Sequence, residues 1–298
     1  MHRWSWLAMG GVLASAPGHA ERAPTVLEPT SKWTLDYADE RCSLIRNFGS
    51  GDDALRLQID SYGALAGFRV TLAGGPVPRS RAPFGDVRVA FPADPVQREQ
   101  TTAIQGTVGR VPAVSFGVAL LPEEPGTEQR SKAPLHEQLE RNAEPLRPSA
   151  EFEARLDSMT VEFDNRTRVQ LQLHGMVAPL AAMRECIDNL TRSWGLDPAQ
   201  ERSLTREPIP DPSSVERVMR SYPRSMVLGG QSAFVPVRIM VDAAGTAGAC
   251  VVQVPSVETV FKEAVCRGLA RRFSPALDRD ARPVASVYRT YVVYQMST

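Results

Sequence analysis

Along the first two thirds of the chain, apolar and polar residues alternate in short runs at Lys32–Tyr37, Cys42–Asn47, Ala54–Asp60, Gly67–Ala73, Val87–Phe91 and Val114–Leu120. Glycine, proline and acidic clusters separate the runs, and a period of two with such punctuation predicts strands joined by hairpins and meanders. A polar connection, Pro122 to Pro134, leads to a short helix over Leu135–Asn142. Met159–Phe163 and Arg168–Leu173 then read as another hairpin, closed by Asp164-Asn165-Arg166-Thr167. From Met176 the period lengthens: Leu180, Met183, Cys186, Ile187, Leu190 and Trp194 recur at three and four residues, which predicts an amphipathic helix ending at Gly195.

Three prolines in five residues, Pro208, Pro210 and Pro212, exclude helix and central strand alike, so 206–214 reads as a linker between domains. Beyond it Ser213 or Ser214 caps a helix carrying Val215, Val218 and Met219. Ala233–Val241 alternates as a strand, Asp242–Gly245 turns, and Ala249–Val254 forms a second strand. Val257–Phe273 is helical and Val284–Gln295 a long last strand. The fold class that follows is α+β. A β-rich domain over 21–205, a barrel or sandwich-like sheet plus a helix, precedes a small domain over 215–298 with a three-stranded antiparallel sheet and two helices on one face.

Charge sharpens this division. The chain of 298 residues carries 34 basic and 34 acidic side chains, so no chain-wide field favours nucleic acid. Its halves differ: from Ser213 onward 11 basic face 6 acidic residues, a net of +5, whereas 21–212 hold 22 against 28, a net of −6. Residues 1–20 run from His2-Arg3 through an apolar stretch, Trp4 to Ala16, to Gly18 and Ala20, the small residues at a signal peptidase site. They read as a cleaved signal, which predicts export to the periplasm and no transmembrane helix in the product, since the apolar run is shorter than the ~20 residues that cross a bilayer.

Export makes disulfides the default for Cys42, Cys186, Cys250 and Cys266. Pairing Cys42 with Cys186 and Cys250 with Cys266 keeps each bridge inside one domain; buried thiols are the alternative. With no C-x-x-C pair and only His136 and His174 after the signal, neither a metal site nor a cofactor is expected. His136 reads as a surface helix residue and His174 as a turn residue. Phe48-Gly-Ser-Gly51-Asp-Asp53 reads as a hairpin turn, since a phosphate loop would need a following helix and lysine. Arg267, Arg271, Arg272, Arg279 and Arg282 suit a helix C-terminus and a solvated face better than an anion site.

The order of motifs in the second domain resembles the C-terminal domain of TonB-type energy transducers. These are Tyr222-Pro223 after a first helix, Gly229-Gly230 before Val235-Pro-Val-Arg-Ile-Met-Val241, the Asp242-x-x-Gly245 turn, Phe261 and Ala264, Arg272-Phe273-Ser-Pro275-Ala276, and Arg282-Pro283-Val284. The resemblance covers about residues 215–296 and implies a last strand at a sheet edge that pairs with an extended segment of an outer-membrane or other envelope protein, by β-augmentation. It places the contacts on Tyr222, Pro223, Arg224, Val287, Arg289, Tyr291 and Val293. A full transducer adds a membrane helix and a long proline-rich spacer, so the chain resembles the docking fold without its motor. The first domain, with Trp33, Cys42, Phe48-Gly49, Cys186-Ile-Asp-Asn-Leu190 and Trp194-Gly-Leu-Asp197, resembles exported alphaproteobacterial proteins that carry such a module ahead of a TonB-like end, which implies no activity.

The expected function is therefore a periplasmic, non-enzymatic binding protein. Two alternatives stand beside it. The TonB-like unit could make a homodimer through its last strand, or the N-terminal domain could be a ligand-binding or envelope-modifying enzyme using carboxylates such as Asp36, Asp39, Asp52 or Asp53.

Overall fold

A computed structural model describes residues 23–64, 67–91, 100–119, 133–147 and 149–295; the signal segment read over residues 1–20 lies outside the described residues. The chain is a mixed α+β protein dominated by one large sheet. Its first ten strands are β1 (Thr25–Leu27), β2 (Thr34–Ala38), β3 (Arg41–Phe48), β4 (Leu55–Ser61), β5 (Gly67–Gly74), β6 (Phe84–Ala90), β7 (Gln100–Val108), β8 (Val111–Ala119), β9 (Ser158–Phe163) and β10 (Arg168–Gln172). They line up as β1-β10-β9-β6-β7-β8-β5-β4-β3-β2, antiparallel throughout except for β1 beside β10. The β1 end of this order folds back on β3, the next-to-last strand at the other end. Just after β1, Thr30 N–H donates to the Asn47 carbonyl and Gly49 N–H to the Glu28 carbonyl, each at 2.9 Å, so the chain leaving β1 crosses to β3. Arg46 reinforces the seam by donating to the carbonyls of Ser31 (3.0 Å) and Leu173 (2.7 Å).

Alternation along these strands turns Leu44, Phe48, Leu57, Leu72, Phe116, Val161 and Leu171 to one buried face. Among the described residues four α-helices follow or interrupt the strands: α1 (Leu135–Asn142), α2 (Ala150–Ala154), α3 (Val177–Ser193) and α4 (Pro198–Ser203). The apolar stripe of α3, Leu180, Met183, Cys186, Ile187 and Leu190, joins that core and packs on β3 and β2. Cys42 of β3 is bonded to Cys186 of α3, with both residues fully buried, so the helix is stapled to the sheet it covers. Trp194 ends α3, and Gly195 follows at φ +82°, the left-handed conformation glycine adopts past a helix end.

The remaining residues build a second hydrophobic core from Val218 to Tyr294. The stretch 206–214, read from its prolines as excluding helix and central strand, carries a two-residue strand of a two-stranded sheet and the start of a helix. β11 (Ile209–Pro210) pairs with β14 (Phe273–Ser274), and α5 (Pro212–Arg220) starts on a proline. At the first helical position the missing N–H would have had no partner, and Asp211 caps the helix by accepting from Ser213 N at 2.9 Å. After α6 (Arg224–Leu228), β12 (Ala233–Val241), β13 (Ala247–Val252) and α7 (Thr259–Leu269), the chain makes the small hairpin β15 (Ala276–Leu277) and β16 (Pro283–Val284). It ends in β17 (Ser286–Tyr294). The antiparallel sheet β13-β12-β17 rests one face on α5 and α7, and Cys250 is bonded to Cys266 between β13 and α7.

Helices α5 and α7 cross where Gly268 has no side chain: a Cβ there would lie 2.2 Å from Val218 Cγ2. Gly268→Val is therefore expected to lower stability by about 2–3 kcal/mol through overpacking. Val218→Ala in the same chain should recover more than half of that loss. Urea midpoints of the two single variants and the double variant check this, and additive losses would mean the two sites do not touch.

Candidate functional site

A three-stranded sheet with helices on one face leaves the other face to be covered. Register places Phe234, Pro236 and Arg238 of β12 beside Val293, Tyr291 and Arg289 of β17 on that second face. The N-terminal unit packs against it. Arg238 makes a two-pronged ion pair with Glu40 (2.6 and 2.7 Å) and stacks 4.8 Å over the Trp194 ring. Arg289 donates to Glu207 (3.0 Å) and to the carbonyl of Gly63 (2.9 Å). Gly63 is at φ +98°, and a Cβ there would lie 2.6 Å from the Trp194 ring, so this close approach requires glycine. Gln253 donates to the carbonyls of Glu40 (3.2 Å) and Tyr62 (3.1 Å). At the start of β17, Glu201 accepts from the Ser286 hydroxyl at 3.0 Å; burial pushes its carboxyl above the ordinary range, partly offset by Arg289 and Ser286.

The direction of the backbone groups of β17 follows from one hydrogen bond on the neighbouring strand. Gln253 N–H donates to the Pro236 carbonyl at 2.9 Å, so residue 236 faces β13, which also suits a residue with no N–H. Backbone groups alternate sides along a strand, so Val235, Val237 and Ile239 face β17 and bond their register partners Val292, Thr290 and Tyr288. The intervening residues of β17, namely Val287, Arg289, Tyr291 and Val293, therefore turn their N–H and C=O groups away from β12. No described strand pairs with that edge.

The middle of this edge opens into a cleft of ≈ 690 Å³ between the two units. Its far wall is α1, which presents Leu135 and Leu139 half-buried and has no fully buried residue of its own. Its floor comes from the outer face of the large sheet. A cross-strand row there runs Ser43, Asp60, Arg69, Gly117 over β3, β4, β5 and β8. Asp60 accepts from Ser43 (2.6 Å) and Gln58 (2.9 Å), and burial raises its carboxyl above the usual range, with those bonds and Arg41 opposing. Arg69 donates to the Ser115 hydroxyl (2.8 Å) and carbonyl (2.9 Å) and lies 4.0 Å over the Phe234 ring. Tyr62 stacks at 6.2 Å and Tyr291 at 5.3 Å on Phe234. Burial, with the Asp60 charge adding, pushes the Tyr62 hydroxyl up to about 12, so it is a neutral donor at neutral pH.

The residues singled out in the sequence fall into three groups. Tyr291 and Val293 are exposed, at 58 % and 38 %, on the open edge. Val287 shares that edge but its side chain is fully buried, and the Arg289 guanidinium is held between the two units. Tyr222 packs edge-on against Tyr294 at 5.2 Å and donates to the Gln231 carbonyl, so it sits at the far end of β17 on the core face; Pro223 precedes α6 and Arg224 is exposed at its start. None of these last three lines the cleft. Sequence reading missed Arg69, Tyr62, Phe234 and the α1 stripe as parts of one site. A signal was present for Arg69 alone, a charge set among the polar positions of an otherwise apolar strand.

Asp36, Asp39, Asp52 and Asp53 are all exposed and none lines the cleft. His136 is exposed on α1, and His174 meets Glu28 at 2.8 Å on the surface. Among the described residues no helix is long and apolar enough to cross a membrane, and the two disulfides fit an exported protein. No family model, no curated protein and no solved structure matches the chain.

Proposed function

We propose that this is an exported, non-enzymatic binding protein that captures an extended segment of another envelope protein as a new strand on β17, in the manner implied by its likeness to the TonB docking domain. The observation that carries this reading is the open edge: three alternate residues with outward-facing backbone groups, Arg289, Tyr291 and Val293, beyond the covered Val287 and beside a cleft whose opposite wall is a half-buried apolar helix stripe. Edge pairing supplies affinity through the main chain, and alternate pockets supply preference. The cleft gives room for the side chains of such a strand on both of its faces.

The register makes a clean test available. Proline removes a donor, and at Val293 that donor faces away from β12, so Val293→Pro removes nothing from the existing ladder. In an NMR titration of the oxidised, isotope-labelled full protein with TonB-box peptides from receptors of its own organism, the amides of Arg289, Tyr291 and Val293 are expected to shift. Val293→Pro should weaken binding at least tenfold while leaving the thermal midpoint within a few degrees. Undiminished binding by the proline variant rules out edge pairing. Shifts along β17 that grow with protein concentration and need no peptide would identify a second copy of the chain as the occupant.

A further inference from the structure

We infer that the segment captured on β17 is acidic and brings a carboxylate side chain to Arg69; this rests on the edge-pairing reading and adds the chemistry of the ligand. Three arginines with side chains at the interface of the two units, Arg238, Arg289 and Arg69, make the comparison. Arg238 is neutralised by Glu40 and Arg289 by Glu207. Arg69, at 8 % exposure, is bonded only to the uncharged hydroxyl and carbonyl of Ser115, and its Nη1 meets no acceptor among the described residues. Its cross-strand neighbour Asp60 is a counter-charge, but that carboxylate accepts from Ser43 and Gln58 and is shared with Arg41 at 3.5 Å, so two arginines face one carboxylate. A largely buried arginine that must share its counter-charge with a second arginine is incompletely neutralised, and an arriving carboxylate relieves that while gaining a charge-assisted hydrogen bond.

The geometry gives the carboxylate somewhere to sit. Beside Arg69 the row ends in Gly117, and the next paired position, Gly67 with Ala119, is equally bare, so the floor is open where the guanidinium lies. Tyr291 marks the line from the open edge to this floor: its hydroxyl comes within 3.7 Å of the position a Gly117 Cβ would take. A strand paired with β17 near Tyr291 points every second side chain toward Arg69 and the intervening ones toward Leu135 and Leu139 of α1. The segment this selects has an acidic residue flanked on both sides by apolar ones.

The experiment is a selection of random twelve-residue peptides, displayed internally on a carrier protein, against the full-length, disulfide-intact chain. Enriched peptides are expected to share an aspartate or glutamate between apolar residues. Changing that acid to its amide in a selected peptide should weaken binding about tenfold or more by calorimetry, and Arg69→Gln should abolish the difference between the two peptides. Peptides whose binding is lost in Val293→Pro but which show no acidic position overturn the inference and leave edge pairing standing. Selection yielding no peptide sensitive to Val293→Pro overturns edge pairing, and the inference with it. Where Arg69→Gln fails to fold, the acid-to-amide change read on the unaltered protein decides the matter alone.

Discussion

Replacing Cys42 and Cys186 together by alanine is expected to lower stability by about 5 kcal/mol, against about 3 kcal/mol for the Cys250 and Cys266 pair. The difference comes from loop length: the first bridge closes a separation of 144 residues and the second one of 16. In the chain-entropy account each bridge restricts the unfolded chain by an amount that grows with the logarithm of that length. The first bridge also joins β3, the next-to-last strand of the sheet order, to the helix that covers its core, so its loss removes a fully buried contact as well as a tether. Urea unfolding of the oxidised wild type and the two double-alanine proteins measures both values. Equal losses would show that loop closure is not what separates them.

Glu40→Gln is expected to be the most damaging single substitution at the interface of the two units, lowering stability by about 3 kcal/mol. The Arg238 side chain is 11 % exposed and Glu40 22 %, so removing the carboxylate strands a guanidinium between Trp194 and the sheet. The asymmetry between breaking and replacing a buried pair supplies the control. Arg238→Met on the Glu40→Gln background should recover at least half of the loss, because it removes the stranded charge and keeps an apolar stem against Trp194. A loss below about 0.5 kcal/mol for Glu40→Gln would place this pair among surface bridges that contribute little. The result also bears on binding, since the cleft has one wall from each unit and its width depends on how they dock.

What local patterning specifies is visible in particular elements. The long helix carrying Leu180 to Leu190 follows from three- and four-residue spacing, and the hairpin closed by Asp164–Thr167 from its turn residues. The pairing of Cys42 with Cys186 and Cys250 with Cys266 follows from keeping each bridge within one unit. Elements that lack a local signature were not legible. Strand β7 reads Gln-Thr-Thr-Ala-Ile-Gln-Gly-Thr-Val, with no clean alternation, and becomes a strand because β6 and β8 on either side supply its hydrogen bonds. The start of α5 was obscured because proline's usual exclusion from helices does not hold at the first turn.

The sequence by itself determined the class of most long elements and the covalent staples, because period, turn chemistry and cysteine placement act over a few residues or within one unit, while the edge position of the strand carrying Tyr291 and Val293 was what the family resemblance implied. Only the tertiary structure decided that the second face of the small sheet is covered, that Arg289 is spent on Glu207 and Gly63, and that Arg69 lies beside Phe234, which follows it by 165 positions in the chain. Burial and charge compensation depend on which distant surfaces meet. An arginine on a strand looks the same in sequence whether a carboxylate is committed to it, as for Arg238 and Arg289, or a cleft lies beside it, as for Arg69.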